Sequence, residues 1–158
     1  MVGASSTRRD LQQHAFLYSG GEMTDLGTLG GSYSQASDIN NTDKVVGVAL
    51  FSSPTRQHAF LYSDGVWTDL GSLGGSSQAN DINDADKVVG YAYTSGDAGL
   101  HPFLYSGGVM QDLTSLVPDN TGWDLQVAVD INDKDQIVGY GYNKKGALHT
   151  FLLTPKRA

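Results

Sequence analysis

The chain of 158 residues has no cysteine, only four prolines and few charged residues, which make up 17% of the total. The lack of cysteine excludes disulfide bonds, thiolate nucleophiles and zinc sites built on sulfur. The low charge content argues against a disordered polyelectrolyte. Basic residues number 10 against 17 acidic ones, and the net charge is −7. This charge opposes attraction to nucleic-acid phosphates, so we predict no nucleic-acid partner.

Long hydrophobic runs are also missing. No apolar stretch approaches the roughly 20 residues that a membrane-spanning helix needs, so we predict no membrane insertion. The first residues lack the charged and apolar regions of a signal peptide. The localisation stays undetermined at this level, because an export signal that had been removed would leave no trace.

Glycine, in contrast, is abundant at 20 residues, and it recurs at regular intervals. The segment QHAFLYSGGEMTDLGTLGG (13–31) returns almost unchanged as QHAFLYSDGVWTDLGSLGG (57–75). The histidines are spaced by 44, 43 and 48 residues, at His14, His58, His101 and His149. A glycine series is spaced by 44, 43 and 49 residues, at Gly3, Gly47, Gly90 and Gly139. Both series indicate a repeat of about 44 residues with an insertion in its third copy.

Each repeat is expected to form four short strands. In the second copy these are HAFLYS (58–63), VWTDL (66–70), QANDIN (78–83) and KVVGYAYT (87–94). Their valine, tyrosine, phenylalanine and isoleucine content favours β-structure, and no segment has a sustained helical period. Asp64-Gly65 predicts a two-residue hairpin turn between the first two strands. The glycine-rich segment 71–77 is expected to be a connection, and the chain is predicted to be all-β.

The two ends extend this pattern. MVGASS matches the fourth strand of a repeat and HTFLLTP matches the first, so we predict fourteen strands in a single domain over residues 1–158. The predicted parts are an orphan strand (1–6), repeats at 13–56, 57–100 and 101–148, the last divergent, and a closing strand (149–155). Units of this size with four strands are typical of β-propeller blades. A β-trefoil is the alternative, but it leaves the two flanking strands unused.

The motifs HAFLYSGGEMTDLGTLGG (14–31), DINNTDKVVG (38–47) and FLLTP (151–155) resemble those of the HAF-type extracellular repeat family of bacterial proteins. The resemblance extends from Met1 to Pro155. It implies a tandem β-repeat and secretion, and it implies no reaction, cofactor or catalytic residue. The third copy is similar to the divergent last repeat of such proteins, which implies an authentic carboxyl end and a start inside a repeat. Family members usually place glycine in the turn between the third and fourth strands, where this chain has Asp43, Asp86 and Asp135.

The segments DINNTD (38–43), DINDAD (81–86) and DINDKD (130–135) are weak candidates for calcium binding. Closely spaced oxygen ligands suit a hard cation. The segments lack, however, the central glycine and the distal glutamate of an EF-hand loop. We therefore favour structural hairpin turns and predict no metal site. The candidate ligands are Asp38, Asn40, Asp43, Asp81, Asn83, Asp86, Asp130, Asn132 and Asp135.

Two tryptophans break the symmetry of the repeats and are the candidate ligand-binding residues. Trp67 stands where the other copies have Met23 and Met110, and Trp123 lies in the inserted segment. Exposed aromatic rings would suit a carbohydrate-binding module, although packing against the core or an interface is the more common role of tryptophan.

No catalytic motif stands out. A Gly-x-Ser-x-Gly elbow and a phosphate-binding loop are both absent from the sequence. The recurrent Asp25, Asp69 and Asp112 are predicted to brace loops, and the histidines to make hydrogen bonds. We therefore predict a non-enzymatic scaffold or interaction module without a cofactor, with a protein or a glycan as ligand. Unpaired edges on the terminal strands predict a homodimer.

Overall fold

The computed structural model describes residues 1–6, 12–51, 56–97, 99–118 and 121–156. Within these ranges the chain forms fourteen β-strands, the predicted number. They are β1 (Val2–Ser6), β2 (Gln13–Ser19), β3 (Glu22–Gly27), β4 (Gly30–Ile39), β5 (Val45–Phe51), β6 (Gln57–Ser63), β7 (Val66–Gly71), β8 (Gly74–Ile82), β9 (Val88–Thr94), β10 (Leu100–Ser106), β11 (Val109–Asp112), β12 (Asp124–Ile131), β13 (Ile137–Tyr142) and β14 (Leu148–Leu153).

The prediction of an all-β chain is confirmed. The helical elements of the described residues are two short 3-10 segments, Ser95–Asp97 and Leu113–Leu116. Neither these nor any other helix in the described ranges is long and apolar enough to cross a membrane. The second 3-10 segment replaces the end of a strand in the divergent third copy, where the Asp112 side chain accepts a hydrogen bond from the Thr114 amide.

The strands form three hydrogen-bonded sheets, none of which closes into a barrel. The largest sheet has seven strands, but its two parts are joined by a single parallel pair, Gln13 with Tyr33. We therefore describe four antiparallel layers. Layer 1 contains β1–β3, layer 2 contains β4–β7, layer 3 contains β8–β11 and layer 4 contains β12–β14. Layers 2 and 3 have four strands each, and the two outer layers have three.

The layers are offset from the sequence repeats. Each full layer takes the third and fourth strands of one repeat and the first two strands of the next, as β4–β7 shows. Within the described ranges layer 1 consequently has no strand equivalent to β4, and layer 4 has none equivalent to β7. The two terminal strands pair inside separate layers, β1 with β2 and β14 with β13. No ladder joins β1 to β14 among the described residues.

Local sequence explains the strand ends. Asp64 and Gly65 have φ values of 51° and 82°, as a two-residue hairpin turn of the predicted type requires. The predicted connection 71–77 is shorter than expected, because β8 already begins at Gly74. Gly74 itself has a φ of 114°, which a residue with a side chain rarely adopts, so the chain turns into the strand at this glycine.

Three apolar clusters lie between consecutive layers. The first surrounds Leu26, Val45 and Phe60, the second Leu70, Val88 and Phe103, and the third Leu113, Ile137 and Phe151. Phe60 and Phe103 are completely buried. Burial of this kind is worth about 1.5–3 kcal/mol for each large side chain, so the layers are held together mainly by these clusters.

The recurrent glycine of the KVVG and QIVG segments allows neighbouring strands to approach closely. A Cβ atom at Gly47, Gly90 or Gly139 would overlap a carbonyl oxygen of the adjacent strand, that of Gln35, Gln78 or Val127 respectively. Each contact lies beside a β-bulge in the preceding strand, for example between Ala79 and Asp81. A bulge redirects the side chain that follows it. The bulges therefore determine the direction of the aspartate side chains at the start of the polar turns.

Candidate functional site

The polar turns that connect β4 to β5, β8 to β9 and β12 to β13 are closed by their asparagines. Asn83 Oδ1 accepts hydrogen bonds from the Ala85 and Lys87 amides, at 3.1 and 3.0 Å. Asp86 has a φ of 61°, in the left-handed region, and Asp43 and Asp135 have nearly the same value. Aspartate tolerates this conformation better than most residues. The structural turns favoured from the sequence are therefore present.

The same turns also join the layers, through a set of contacts that we call the turn ladder. Asn83 Nδ2 donates to the Asn132 carbonyl at 3.1 Å and lies 3.3 Å from Asp135 Oδ1. Lys87 Nζ forms an ion pair with Asp135 at 2.7 Å. One layer earlier, Asn40 and Lys44 make the equivalent contacts to the next turn. Equivalent side chains thus tie layers 2, 3 and 4 in series.

The turn ladder has a direction. In each step the asparagine amide and the lysine of one layer donate to acceptors of the following layer. The last turn has no following layer, and Asn132 Nδ2 donates instead to Gln136 Oε1 of its own turn, at 2.9 Å. Asn83 is buried whereas Asn132 is exposed, so the same residue type has different surroundings in the middle and at the end.

A row of three aspartates lies beside the ladder, on the strands β4, β8 and β12. Asp38 accepts a hydrogen bond from the Ile82 amide at 3.2 Å, and Asp81 accepts one from the Ile131 amide at 2.6 Å. Burial raises the pKa of Asp81 to about 7, helped by a hydrogen bond with the Asp38 carboxyl and by the charges of Asp38 and Asp130. Asp81 therefore holds a proton below neutral pH.

We expect this pair to make the stability depend on pH. The pKa of Asp81 is higher in the folded state, at about 7, than the roughly 3.9 of an unfolded chain. The folded chain thus binds the extra proton between these values, and stability falls as the pH rises from about 4 to 7. Asp81→Asn mimics the protonated form, so it should flatten this fall and stabilise the protein at pH 7.5 by about 1 kcal/mol after allowance for solvent screening.

Denaturant unfolding at pH 4.5 and 7.5 measures the effect. Asp64→Asn, in an exposed hairpin turn, is the matched control and should keep the pH dependence of the parent. The pair would have no such role if parent and Asp81→Asn lost the same stability between the two pH values.

Seven of the nine calcium candidates are engaged in these contacts. The asparagines Asn40, Asn83 and Asn132 close their own turns, Asp38 and Asp81 accept backbone amides of the next layer, and Asp86 and Asp135 pair with lysines. Asp43 and Asp130 lie at the two ends of the array. The described residues contain no cluster of three or more acidic or histidine side chains with metal-site geometry.

Added calcium should accordingly leave the melting temperature unchanged. A ligand raises stability only when it binds the native state, and seven of the nine candidate residues already accept protein donors. Thermal melts in millimolar calcium chloride and in EDTA check this expectation, with magnesium chloride as the control for ionic strength. An increase of several degrees that is specific to calcium would contradict it.

Three of the four histidines pair with the recurrent aspartates. The Nδ1 atoms of His14, His58 and His101 lie 2.9, 3.1 and 2.7 Å from carboxylate oxygens of Asp25, Asp69 and Asp112. These carboxylates also accept the amides of Gly27, Gly71 and Thr114. The aspartates thus brace the turns, as predicted. The pairing of these histidines with the aspartates was not predicted, although each histidine precedes its aspartate by the same 11 residues in the sequence.

The structure places Trp67 at an interface between layers. Its Nε1 donates to the Leu26 carbonyl at 3.0 Å, and its ring centroid lies 4.4 Å from that of Phe60 and 5.5 Å from that of Tyr62. Leu26 belongs to layer 1 and Trp67 to layer 2. With its polar atom bonded and its ring packed into the first cluster, Trp67 has the packing role that is common for tryptophan.

Trp123 lies apart from Trp67, in a surface pocket of about 430 Å³ at the edge of layer 4. The ring is 37% exposed and meets the His149 ring edge-on, with 6.4 Å between the centroids. Asn143, Lys144 and Lys145 also line the pocket. An aromatic face, an amide and two ammonium groups therefore share one site, on a chain whose net charge is −7.

Comparison with known proteins does not assign this chain to a family. No family model matches it, and no curated protein matches it significantly. Three features of the described structure bear on function: polar turns that join the layers, a pocket with aromatic and basic side chains, and outer layers of three strands.

Proposed function

We propose that the chain is a non-enzymatic scaffold that binds other polypeptides at the ends of its layered array. The observation that carries this proposal is the apolar outer face of layer 4. On β13 and β14 the exposed side chains Val138 and Leu152 are cross-strand neighbours, and so are Tyr142 and Leu148. Leu148 and Leu152 are 58% and 59% exposed. An exposed apolar face of this kind is characteristic of an interaction surface.

The polar groups support the same proposal. Three of the recurrent histidines pair with aspartates, and the asparagines and lysines of the turn ladder form hydrogen bonds or ion pairs within the array. We propose further that the array is propeller-like, in preference to a trefoil, because its layers are antiparallel sheets stacked in chain order. Membership of the HAF-type family, and with it an extracellular location, remains part of this proposal on the motifs alone.

Self-association is the first function to test. β1 and β14 each have one unpaired edge, and exposed strand edges are normally covered. In a twofold dimer, β14 of one copy would lie beside β1 of the other, twice by symmetry. We expect sedimentation velocity at tens of micromolar to give a mass twice the 16.8 kDa of one chain. A single 16.8 kDa species that does not change on concentration would contradict the dimer.

Deleting residues 149–158 should abolish the dimer and leave an aggregating chain. The deletion also removes Phe151, which packs in the third cluster, so loss of folding and loss of contact must be separated. Leu152→Glu changes an exposed side chain of the same strand and should give a folded monomer. A folded dimer in this variant would place the interface elsewhere.

A carbohydrate-binding module is the second candidate, and the Trp123 pocket favours it. A sugar ring would stack on the indole while Lys144, Lys145 and Asn143 donate to its oxygens, which suits an acidic glycan. A glycan array followed by titration tests this hypothesis. Trp123→Ala should abolish binding, and Trp67→Phe, at the interface between layers, should leave it unchanged. Glycan binding that survives Trp123→Ala would exclude the pocket.

A further inference from the structure

The third apolar cluster lacks one member that the other two contain. Between layers 1 and 2 the ring of Trp67 packs into the cluster, and between layers 2 and 3 the side chain of Met110 does so. Both residues lie at equivalent positions on the last strand of their layer, β7 and β11. Among the described residues layer 4 has no such strand, so none of them occupies the equivalent position in the cluster between layers 3 and 4.

A cavity of about 470 Å³ lies at this place. Five of the residues that line it are the counterparts, one repeat later, of residues in the cluster that Met110 completes. These five are Leu104, Leu113, Ile131, Ile137 and Leu153, and their counterparts are Leu61, Leu70, Ile82, Val88 and Tyr105. The place of the missing strand in layer 4 is therefore an apolar cavity, and its walls are formed by residues of layers 3 and 4. Layer 4 differs in this respect from layer 1, the other layer with three strands.

His149 gives a second, independent sign of the missing strand. In layers 1 to 3 the equivalent histidine pairs with an aspartate on the adjoining last strand, for example His58 with Asp69 on β7. Among the described residues His149 has no hydrogen-bond or ion-pair partner, and its one aromatic contact is with Trp123. The aspartate follows the large apolar residue by two positions in every complete copy, as Asp69 follows Trp67.

We propose that the free edge of β14, with the cavity beside it, is a docking site for an extended peptide strand. The strand adds antiparallel to β14 and inserts a methionine or tryptophan side chain among Leu104, Leu113 and Leu153. An aspartate two residues later pairs with His149. Backbone hydrogen bonds to the edge supply affinity, and the inserted side chain supplies specificity, as in other cases of strand addition. The proposal rests on the proposed scaffold function and names its partner. Because the peptide takes the edge of β14 that the dimer would use, peptide binding should compete with self-association.

The protein itself provides the probe. A labelled peptide of residues 64–73, DGVWTDLGSL, carries the pattern, and fluorescence anisotropy with the full 158-residue chain measures its binding. We expect saturable binding that weakens about tenfold or more when the peptide tryptophan becomes serine, because buried aromatic anchors dominate such contacts. In the protein, Leu153→Ser should weaken binding, and Val66→Ser, at an exposed position of layer 2, should not.

The predicted ion pair is tested by a double-mutant cycle. His149→Ala in the protein and Asp69→Asn in the peptide should each weaken binding about two- to fivefold, and together no more than either alone. Additive losses would show that the two residues do not meet.

The possible outcomes distinguish the docking site from the scaffold function. Equal affinity for the tryptophan and serine peptides overturns the docking site. A peptide that does not bind, together with a dimer that Leu153→Ser dissociates, makes a second copy of the chain the occupant and overturns the proposal while leaving the scaffold function standing. A monomeric chain that binds no peptide overturns both.

Discussion

Asn83→Ala is expected to lower the free energy of unfolding by about 3 kcal/mol. The middle of the turn ladder is therefore one of the positions at which a substitution destabilises the protein most. The side chain is 3% exposed and satisfies two backbone amides of its own turn as well as the Asn132 carbonyl in the next layer. Alanine leaves these buried groups without partners, and each unsatisfied group costs on the order of 1 kcal/mol or more.

Asn132→Ala provides the matched control. It removes the same closure of the turn, because Asn132 Oδ1 accepts the Lys134 and Gln136 amides, but Asn132 is exposed and makes no contact to a further layer. We expect a loss of about 1 kcal/mol, so the difference between the two variants measures the bonds between layers. Urea unfolding of both variants gives the values. Equal losses would mean that the ladder contributes nothing beyond its individual turns.

Gly90→Ala should be at least as damaging, with an expected loss of about 3 kcal/mol or more. A Cβ atom at this position would overlap the Gln78 carbonyl oxygen and crowd the Ala79 backbone, neither of which can rotate away. The strands β8 and β9 would have to separate, which disturbs the buried cluster around Val88 and Phe103. The melting temperature of the purified variant is the simplest measurement, supported by the yield of folded protein.

Gly99→Ala controls for the loss of a glycine as such. A Cβ atom there would meet the end of the His101 ring, at 3.1 Å, and Thr94 Oγ1, at 3.6 Å, and the φ of Gly99 lies outside the left-handed region. We expect a change within about 1 kcal/mol of the parent. If Gly90→Ala were equally mild, the close approach of the strands would not be what requires this glycine.

Much of the fold follows from the repeat alone. Aromatic and aliphatic content predicts strands such as β6, Asp64-Gly65 predicts a hairpin, and Asp86 adopts the left-handed φ that its turn needs. These features depend on a few neighbouring residues, so a single sequence is enough to predict them. The recurrence of Asp25, Asp69 and Asp112 also led correctly to turn-bracing roles.

Features that depend on neighbouring layers were not predictable in this way. The sequence divides into repeats at HAFLYS, whereas the layers divide before β4, β8 and β12, because strand pairing and not sequence similarity sets the boundary. The partners of Asn83 and Asp81 lie about one repeat away, and sequence spacing does not say which layer faces which. The cavity at Leu153 is absent from any single repeat and arises only where an equivalent strand is missing.

Every substantial contact between different layers joins consecutive ones. The fold therefore behaves as a one-dimensional chain of coupled units, in which stability is a sum of layer and interface contributions. Layers 2 and 3 have two neighbours each, so their amide protons should exchange most slowly with solvent, while exchange in layers 1 and 4 reports fraying from the ends. Duplicating one repeat of about 44 residues in the interior would add one interface and leave the others unchanged, so an array of this kind can change length in a single genetic step.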